Sequence, residues 1–135
     1  MGATVQQDLY SIVLLFRTHQ VCFTADIKMM YRQIVVYPQD RDLQRILWKY
    51  SSEEPIQEYR LTTVTYGTSS APFLATRCLK KLADDKEQYP RSAQVLSNVF
   101  YVDDLLSGTS TIDDASNVQK EISSLLQTAG LTLRK

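Results

Sequence analysis

No stretch of the 135-residue chain approaches the roughly eighteen unbroken apolar residues that a membrane-spanning helix needs. The opening residues Met1 to Gln7 lack the charged and apolar blocks of a secretory signal. These absences predict a soluble, intracellular protein with no membrane partner. Cysteine is scarce: Cys22 and Cys78 are far apart, sit among apolar neighbours and form no C-x-x-C pair, which predicts buried, reduced thiols. His19 is the only histidine and has no ligand partner nearby in sequence. Positive charge is not in excess either, since fifteen Lys and Arg balance fifteen Asp and Glu without a basic block. A protein held on nucleic acid by phosphate contacts usually shows a basic stripe, so neutrality weighs against a self-sufficient nucleic-acid binder. Repeats, low-complexity tracts and linkers are absent too, which leaves one compact domain, long enough to bury a real core.

What the chain has is an acidic pair inside an apolar, β-prone run, Asn98 to Thr109. Val99, Phe100, Tyr101 and Val102 favour a strand and Leu105 and Leu106 resume it, so the simplest shape is a tight hairpin with Asp103 and Asp104 at its tip. A tip built for stability would carry Asn-Gly or Asp-Gly, which tolerate positive φ, but this one has no glycine. A local rule broken in this way points to function. The alternative is a solvated acidic turn, because Asp is a common turn residue.

Upstream, Asp8 to Arg17 reads as a helix capped by Asp8, with Leu9, Ile12, Val13 and Phe16 at helical spacing. Val21 to Ile27 is a nearly continuous apolar run that fits a buried strand ending at Asp26. An unpaired carboxylate there would be expensive. Asp26 is therefore functional, a partnered structural acid, or the cap of a helical turn over Lys28 to Gln33. Ile34 to Tyr37 turns β-like, Pro38 breaks the pattern, and the charged run Gln39 to Arg45 reads as a solvated face. Two strands, Ile46 to Tyr50 and Glu58 to Val64, flank a polar turn, with Trp48 expected in the core.

Tyr66 to Pro72 is a loop that opens a helix: Gly67 gives freedom of φ, Ser69 and Ser70 offer caps and Pro72 suits the first turn. Such a start can bind phosphate, though most are merely caps. Ala71, Leu74, Ala75, Cys78, Leu79 and Leu82 then form one apolar stripe. Lys86 to Arg91 is a polar connection, and Ser92 to Ser97 a short helix. Thr111 caps the clearest helix, whose Asp113 and Asp114 are explained by its positive end. Ala115, Val118, Ile122, Leu125, Leu126 and Ala129 line one face, Gly130 ends it, and a last strand begins at Leu131. This order predicts an α+β fold with a mostly antiparallel sheet backed by two to three helices.

If the strand ending at Asp26 lies beside the hairpin, then Asp26, Asp103 and Asp104 converge on one sheet edge. Like charges about 4 Å apart repel by roughly 4 kcal/mol per pair at an effective dielectric near 20. Such a cluster calls for divalent cations, and oxygen-only ligands favour Mg²⁺. Two such ions about 3.5 to 4 Å apart activate an attacking hydroxyl and stabilise a leaving pyrophosphate. Phosphoryl or nucleotidyl transfer is the chemistry that fits.

These residues resemble a known family, the reverse transcriptases. YVDD at Tyr101 to Asp104 resembles its metal-binding hairpin, and ADIKMMYRQI at Ala25 to Ile34 the strand with the first catalytic acid. YGTSSAPF at Tyr66 to Phe73 is similar to the loop and helix that help hold nucleotide and template, and the three motifs occur in the family's order. LFR before the first motif, RILW at Arg45 to Trp48 and the closing TLRK are similar to the enzymes of BEL/Pao-type LTR retrotransposons. The resemblance covers essentially the whole chain.

It implies a palm in which Asp26 and Asp103 ligate two Mg²⁺ ions (Mn²⁺ as substitute), with Asp104 close by and the Ile27 carbonyl completing one shell. Tyr31 matches the aromatic that stacks under the incoming sugar and excludes a 2′-hydroxyl; without the motif it would read as a core tyrosine. Tyr66 and Gly67 would line the nucleotide pocket, and Lys135 matches a lysine thought to assist pyrophosphate departure. Two positions depart from the pattern: many retroviral relatives carry Gln where this chain has Tyr66, and Met29 falls where a charged residue is common.

The implied partners are an RNA or DNA template with primer, and dNTPs. The family's basic fingers clamps, thumb and RNase H region find no room in 135 residues. The expectation is therefore the palm and part of the fingers of a longer polyprotein, with little or no processive activity in isolation. Two other classes stay in view: a non-catalytic nucleic-acid-binding or interaction module derived from a retroelement, and a phosphoacceptor receiver domain. In the receiver, the acid pair comes early and the sheet is parallel, both unlike this chain.

Overall fold

The apolar run at residues 21–27 becomes β1 (Val21–Ile27), the strand around which the main sheet is built. The computed structural model describes residues 5–84 and 89–134. In chain order these form α1 (Leu9–Arg17), β1, α2 (Met30–Gln33), a 3₁₀-helix (Pro38–Leu43), β2 (Arg45–Trp48), β3 (Gln57–Arg60) and α3 (Ala71–Ala83). There follow α4 (Pro90–Asn98), β4 (Phe100–Tyr101), β5 (Asp104–Thr109), α5 (Ile112–Thr128) and β6 (Leu133–Arg134). The main sheet has the order β4-β5-β1-β6, and each neighbouring pair is antiparallel. The fold is α+β, as its pattern of helices and hairpins predicts.

β1 differs from expectation in one respect. Ala25 and Ile27 are buried, but Cys22 and Thr24, which precede them on the alternate face, are exposed, so one face is covered rather than both. An antiparallel sheet commonly packs only one face, and here α5 lies against β1 and β5. Cys22 therefore falls on the open face. Cys78 is exposed as well, so neither thiol is the buried one expected. On α3 the buried positions are Ala71, Ala75, Leu79 and Ala83, a four-residue ridge that leaves Leu74 and Cys78 outside. Small residues on that ridge let α4 pack closely, with Ser92 and Ala93 wholly buried.

The core is centred on Ile27, Met30, Leu105, Ile122 and Leu126, all fully buried. Thr111 caps α5 by accepting the Asp114 N–H at 3.2 Å. At its other end Gly130 (φ +74°) donates its N–H to Gln127 O at 3.0 Å, and Leu131 donates to Leu126 O at 3.0 Å. This paired closure needs a left-handed residue after the helix, and it aims the chain back into β6. Ser70 caps α3 only by position, since its side chain accepts no hydrogen bond from the helix. Of the polar connection expected at 86–91, residues 86–88 lie outside the described residues, while Pro90 and Arg91 already belong to α4, which starts two residues earlier than expected.

β2 and β3 form a separate two-stranded antiparallel ribbon. No helix layer covers it among the described residues, so Trp48 is 55% exposed instead of buried in the core. Arg45 and Arg60 lie directly opposite one another, a repulsive pairing relieved by Asp42, which sits 3.0 Å from Arg45 and 3.4 Å from Arg60, and by Glu58 beside Arg45. The β-like segment 34–37 reduces to one bridge, Val35 with Thr63, and β3 stops at Arg60. Among the described residues no helix is long and apolar enough to cross a membrane.

Gly108 faces Cys22 across the β1–β5 pairing. A Cβ there would stand 2.6 Å from the Val21 carbonyl oxygen and 2.5 Å from the His19 Cβ. Gly108→Ala is therefore expected to destabilise the fold by about 1–3 kcal/mol, the usual cost of overpacking. Urea denaturation measures this, and an unchanged midpoint would contradict the close approach.

Candidate functional site

The acids come together through strand register. β1 and β5 pair so that Asp26 lies directly opposite Asp104, and opposite residues of an antiparallel pair project to the same face. The Ile27 N–H donates to the Asp103 carbonyl at 2.9 Å, which fixes the turn against the end of β1. Because Tyr101 pairs with Asp104, the two-residue turn is Val102–Asp103. The tip thus sits one residue earlier than expected, and Asp104 opens β5.

Val102 has φ +58°, at the position glycine takes in a type II′ hairpin turn. A β-branched residue there is a strained outlier, of a kind costing about 1–3 kcal/mol. The Val102 N–H donates to Gln6 Oε1 at 3.2 Å, so the N-terminal segment ties down the strained turn. Gln6 carried no motif; only the fold brings it to a residue so distant in the chain.

Thr24, Ala25, Asp26, Asp103, Asp104, Leu105 and Leu106 line an open cleft of about 550 Å³. The three carboxylates share this cleft but do not form a closed ligand set: among the described residues no group of three His, Cys, Asp or Glu stands ready to hold an ion. Asp26 is turned toward β6, where both its oxygens accept from Arg134, Nε to Oδ1 at 3.2 Å and Nη2 to Oδ2 at 3.2 Å. Burial, then the charges of Asp103 and Asp26, push the Asp104 carboxyl above its ordinary pKa. A set of carboxylate oxygens under mutual repulsion fits a hard divalent cation such as Mg²⁺ in its chemistry.

Tyr31, on α2, is 8% exposed and part of the core. Its ring stacks obliquely on Tyr66, with centroids 4.5 Å apart and planes at 60°. Burial raises its pKa first, then the negative charge of Asp103, then Tyr66. Tyr31 is thus both a core residue and a neighbour of the acids. Gly67 has φ +84° and open space around it. Met29 (φ +47°) occupies the cap position of α2 without a side-chain cap, so Asp26 does not cap that helix. Lys135 lies outside the described residues. Arg134, next to it, was not singled out by the sequence; only the β1–β6 register reveals it.

A protein-family model described as Reverse transcriptase (RNA-dependent DNA polymerase) matches residues 4–135. No curated protein matches the chain.

The raised pKa of Asp104 has a thermodynamic consequence. A carboxyl whose folded-state pKa exceeds its unfolded value favours the fold fully below the unfolded value, and that contribution is lost as pH rises through the folded value. At pH 7 and without divalent cations, ionised Asp104 therefore works against folding. Asp104→Asn is expected to raise the melting temperature slightly in a chelating buffer at pH 7, on the order of 1–2 °C. The gap should close as pH falls into the range where carboxylates protonate. A variant that melts lower at pH 7 would contradict the assignment.

Proposed function

The chain belongs to the reverse transcriptase (RNA-dependent DNA polymerase) family, and from that membership we propose that its 135 residues form the palm, with part of the fingers, of an RNA-directed DNA polymerase. The observation that carries this reading is the cleft shared by Asp26, Asp103 and Asp104 at one end of the antiparallel sheet. Members of the family act on a template with primer and on dNTPs, and the motif similarities favour a BEL/Pao-type retrotransposon polyprotein as the source.

In this reading Asp26, Asp103 and the Ile27 carbonyl would hold two Mg²⁺ ions, and Asp104 would support them electrostatically. Bound Mg²⁺ supplies activation of the primer 3′-hydroxyl and charge stabilisation of the departing pyrophosphate. The chain's own residues do the rest. The β1–β5 pairing sets the spacing of the acids, and the turn at Val102 directs Asp103 toward the cleft. Tyr31, fixed in the core against Tyr66, limits the room left for the sugar's 2′ position. Tyr66 and Gly67 border the nucleotide. Lys135 is proposed to assist pyrophosphate departure. With charges balanced and no basic block in the sequence, grip on the template–primer is weak, so the isolated polypeptide is inactive or extends a primer only weakly and distributively.

Millimolar Mg²⁺ is expected to raise the melting temperature of the chain, and Asp103→Asn is expected to abolish that rise. In single-nucleotide addition on an RNA template the same variant should lose on the order of 10³-fold in rate, equivalent to about 4 kcal/mol. Template binding without any Mg²⁺-dependent signal would instead identify a non-catalytic nucleic-acid-binding module. Long products made in one encounter would refute the distributive part.

A further inference from the structure

We propose that Arg134 is a resident counter-cation for Asp26, clasping its carboxylate when no divalent ion is present and releasing it when one binds. The inference rests on reading Asp26 as a metal ligand, and it adds a gate that this reading does not require.

The clasp is built by backbone register rather than by chance reach. β6 pairs with β1 so that Arg134 faces Asp26 and Leu133 faces Ile27. The Lys28 N–H donates to Thr132 O at 2.9 Å, which anchors the approach to this pairing. From that position the guanidinium meets the carboxylate as a fork, one N–H on each oxygen at 3.2 Å. Arginine suits this geometry because its donors are planar and fixed. Among the described residues no other basic side chain forms an ion pair with Asp26, Asp103 or Asp104. One cation thus relieves a site with three acids, and it does so at the acid contributed by the central strand.

The clasp is also made to open. The Arg134 side chain is 64% exposed and that of Asp26 29%, and pairs this accessible to water are held weakly. A divalent ion on the same oxygens would lie beside the guanidinium, and the two positive charges repel. The side chain has somewhere to go: Arg134 also borders a second cavity of about 270 Å³, lined by Gln119, Lys120, Ser123 and Leu133, where Gln119 and Ser123 offer acceptors.

The experiment is Mn²⁺ binding to the full chain, followed by the electron paramagnetic resonance of the free ion, for wild type, Arg134→Met, Arg134→Lys and Asp103→Asn. Circular dichroism melts without metal confirm that each variant folds. Arg134→Met is expected to bind Mn²⁺ about two- to fivefold more tightly, because the competitor is gone. Arg134→Lys keeps the charge but not the fork, and should also bind more tightly than wild type, by a smaller factor. Tighter binding by Arg134→Met with Arg134→Lys equal to wild type would show charge acting at a distance and overturn the clasp. Weaker or unchanged binding by both would overturn it as well. Asp103→Asn tests the underlying site separately: if it retains full Mn²⁺ affinity, the metal-site reading fails whatever the Arg134 variants do. Loss in Asp103→Asn together with unchanged Arg134 variants leaves the site standing and removes the gate. Absence of Mn²⁺ uptake by every protein removes both.

Discussion

The site depends on one pairing, that of β1 with β5, which runs from Val21 opposite Thr109 to Asp26 opposite Asp104. Side chains alternate faces along a strand, so a slip of one residue would turn Asp26 into the core and Ile27 into the cleft. Two features hold the register. The buried Ala25, Ile27 and Leu105 require the covered face, and at the far end only a residue without a side chain fits where Gly108 passes the Val21 carbonyl. The acids are therefore placed by apolar packing and a steric restriction several residues away, not by any attraction of their own. Their mutual repulsion opposes the pairing that gathers them.

The backbone beside the acids carries a cost as well. The turn leading to Asp103 accepts a left-handed valine where glycine would be easier, and Gln6 together with the half-buried Val102 side chain holds it there. α5, by contrast, is built conventionally, with a threonine cap, acids in its first turn and a glycine-based closure. Among the described residues, left-handed non-glycine backbone occurs at Met29 and Val102, each within three residues of one of the acids, and a conventionally built helix supports the sheet from the covered face. Such a division is what a preorganised site requires, because rigid surroundings keep an unfavourable arrangement from relaxing.

Features written in local sequence were legible without coordinates. The cap and periodicity of α1, the signals at both ends of α5 and the course of β1 depend on residues a few positions apart, and those elements match expectation closely. Burial was less legible because it depends on what lies above a strand. Cys22 and Trp48 both sit in apolar runs, yet one falls on the open face of the sheet and the other on a ribbon without a helix layer among the described residues. The three acids could be gathered in advance because their motifs name them. Arg134 could not, since its meeting with Asp26 spans more than a hundred residues and rests on how a two-residue strand docks. Nor could the shift of the tip to Val102–Asp103, because β-propensity alone does not say which of four successive residues turns the chain.

Tyr31 shows why a structural and a functional reading of one residue need not compete. Its burial and its contact with Tyr66 are what a core tyrosine would show, and after burial the charge of Asp103 contributes to holding its phenol above the ordinary pKa. A side chain proposed to discriminate against one extra oxygen on a sugar works by refusing to move, and an exposed ring could swing aside at little cost. Packing density supplies that refusal: in a filled interior, shifting a ring by even a methylene's width strains its neighbours. Tyr66, itself half exposed, meets that ring on one side, with centroids 4.5 Å apart. The core position is thus the physical basis that the proposed selectivity would have, and a smaller residue at position 31 would loosen the fold and any such discrimination together.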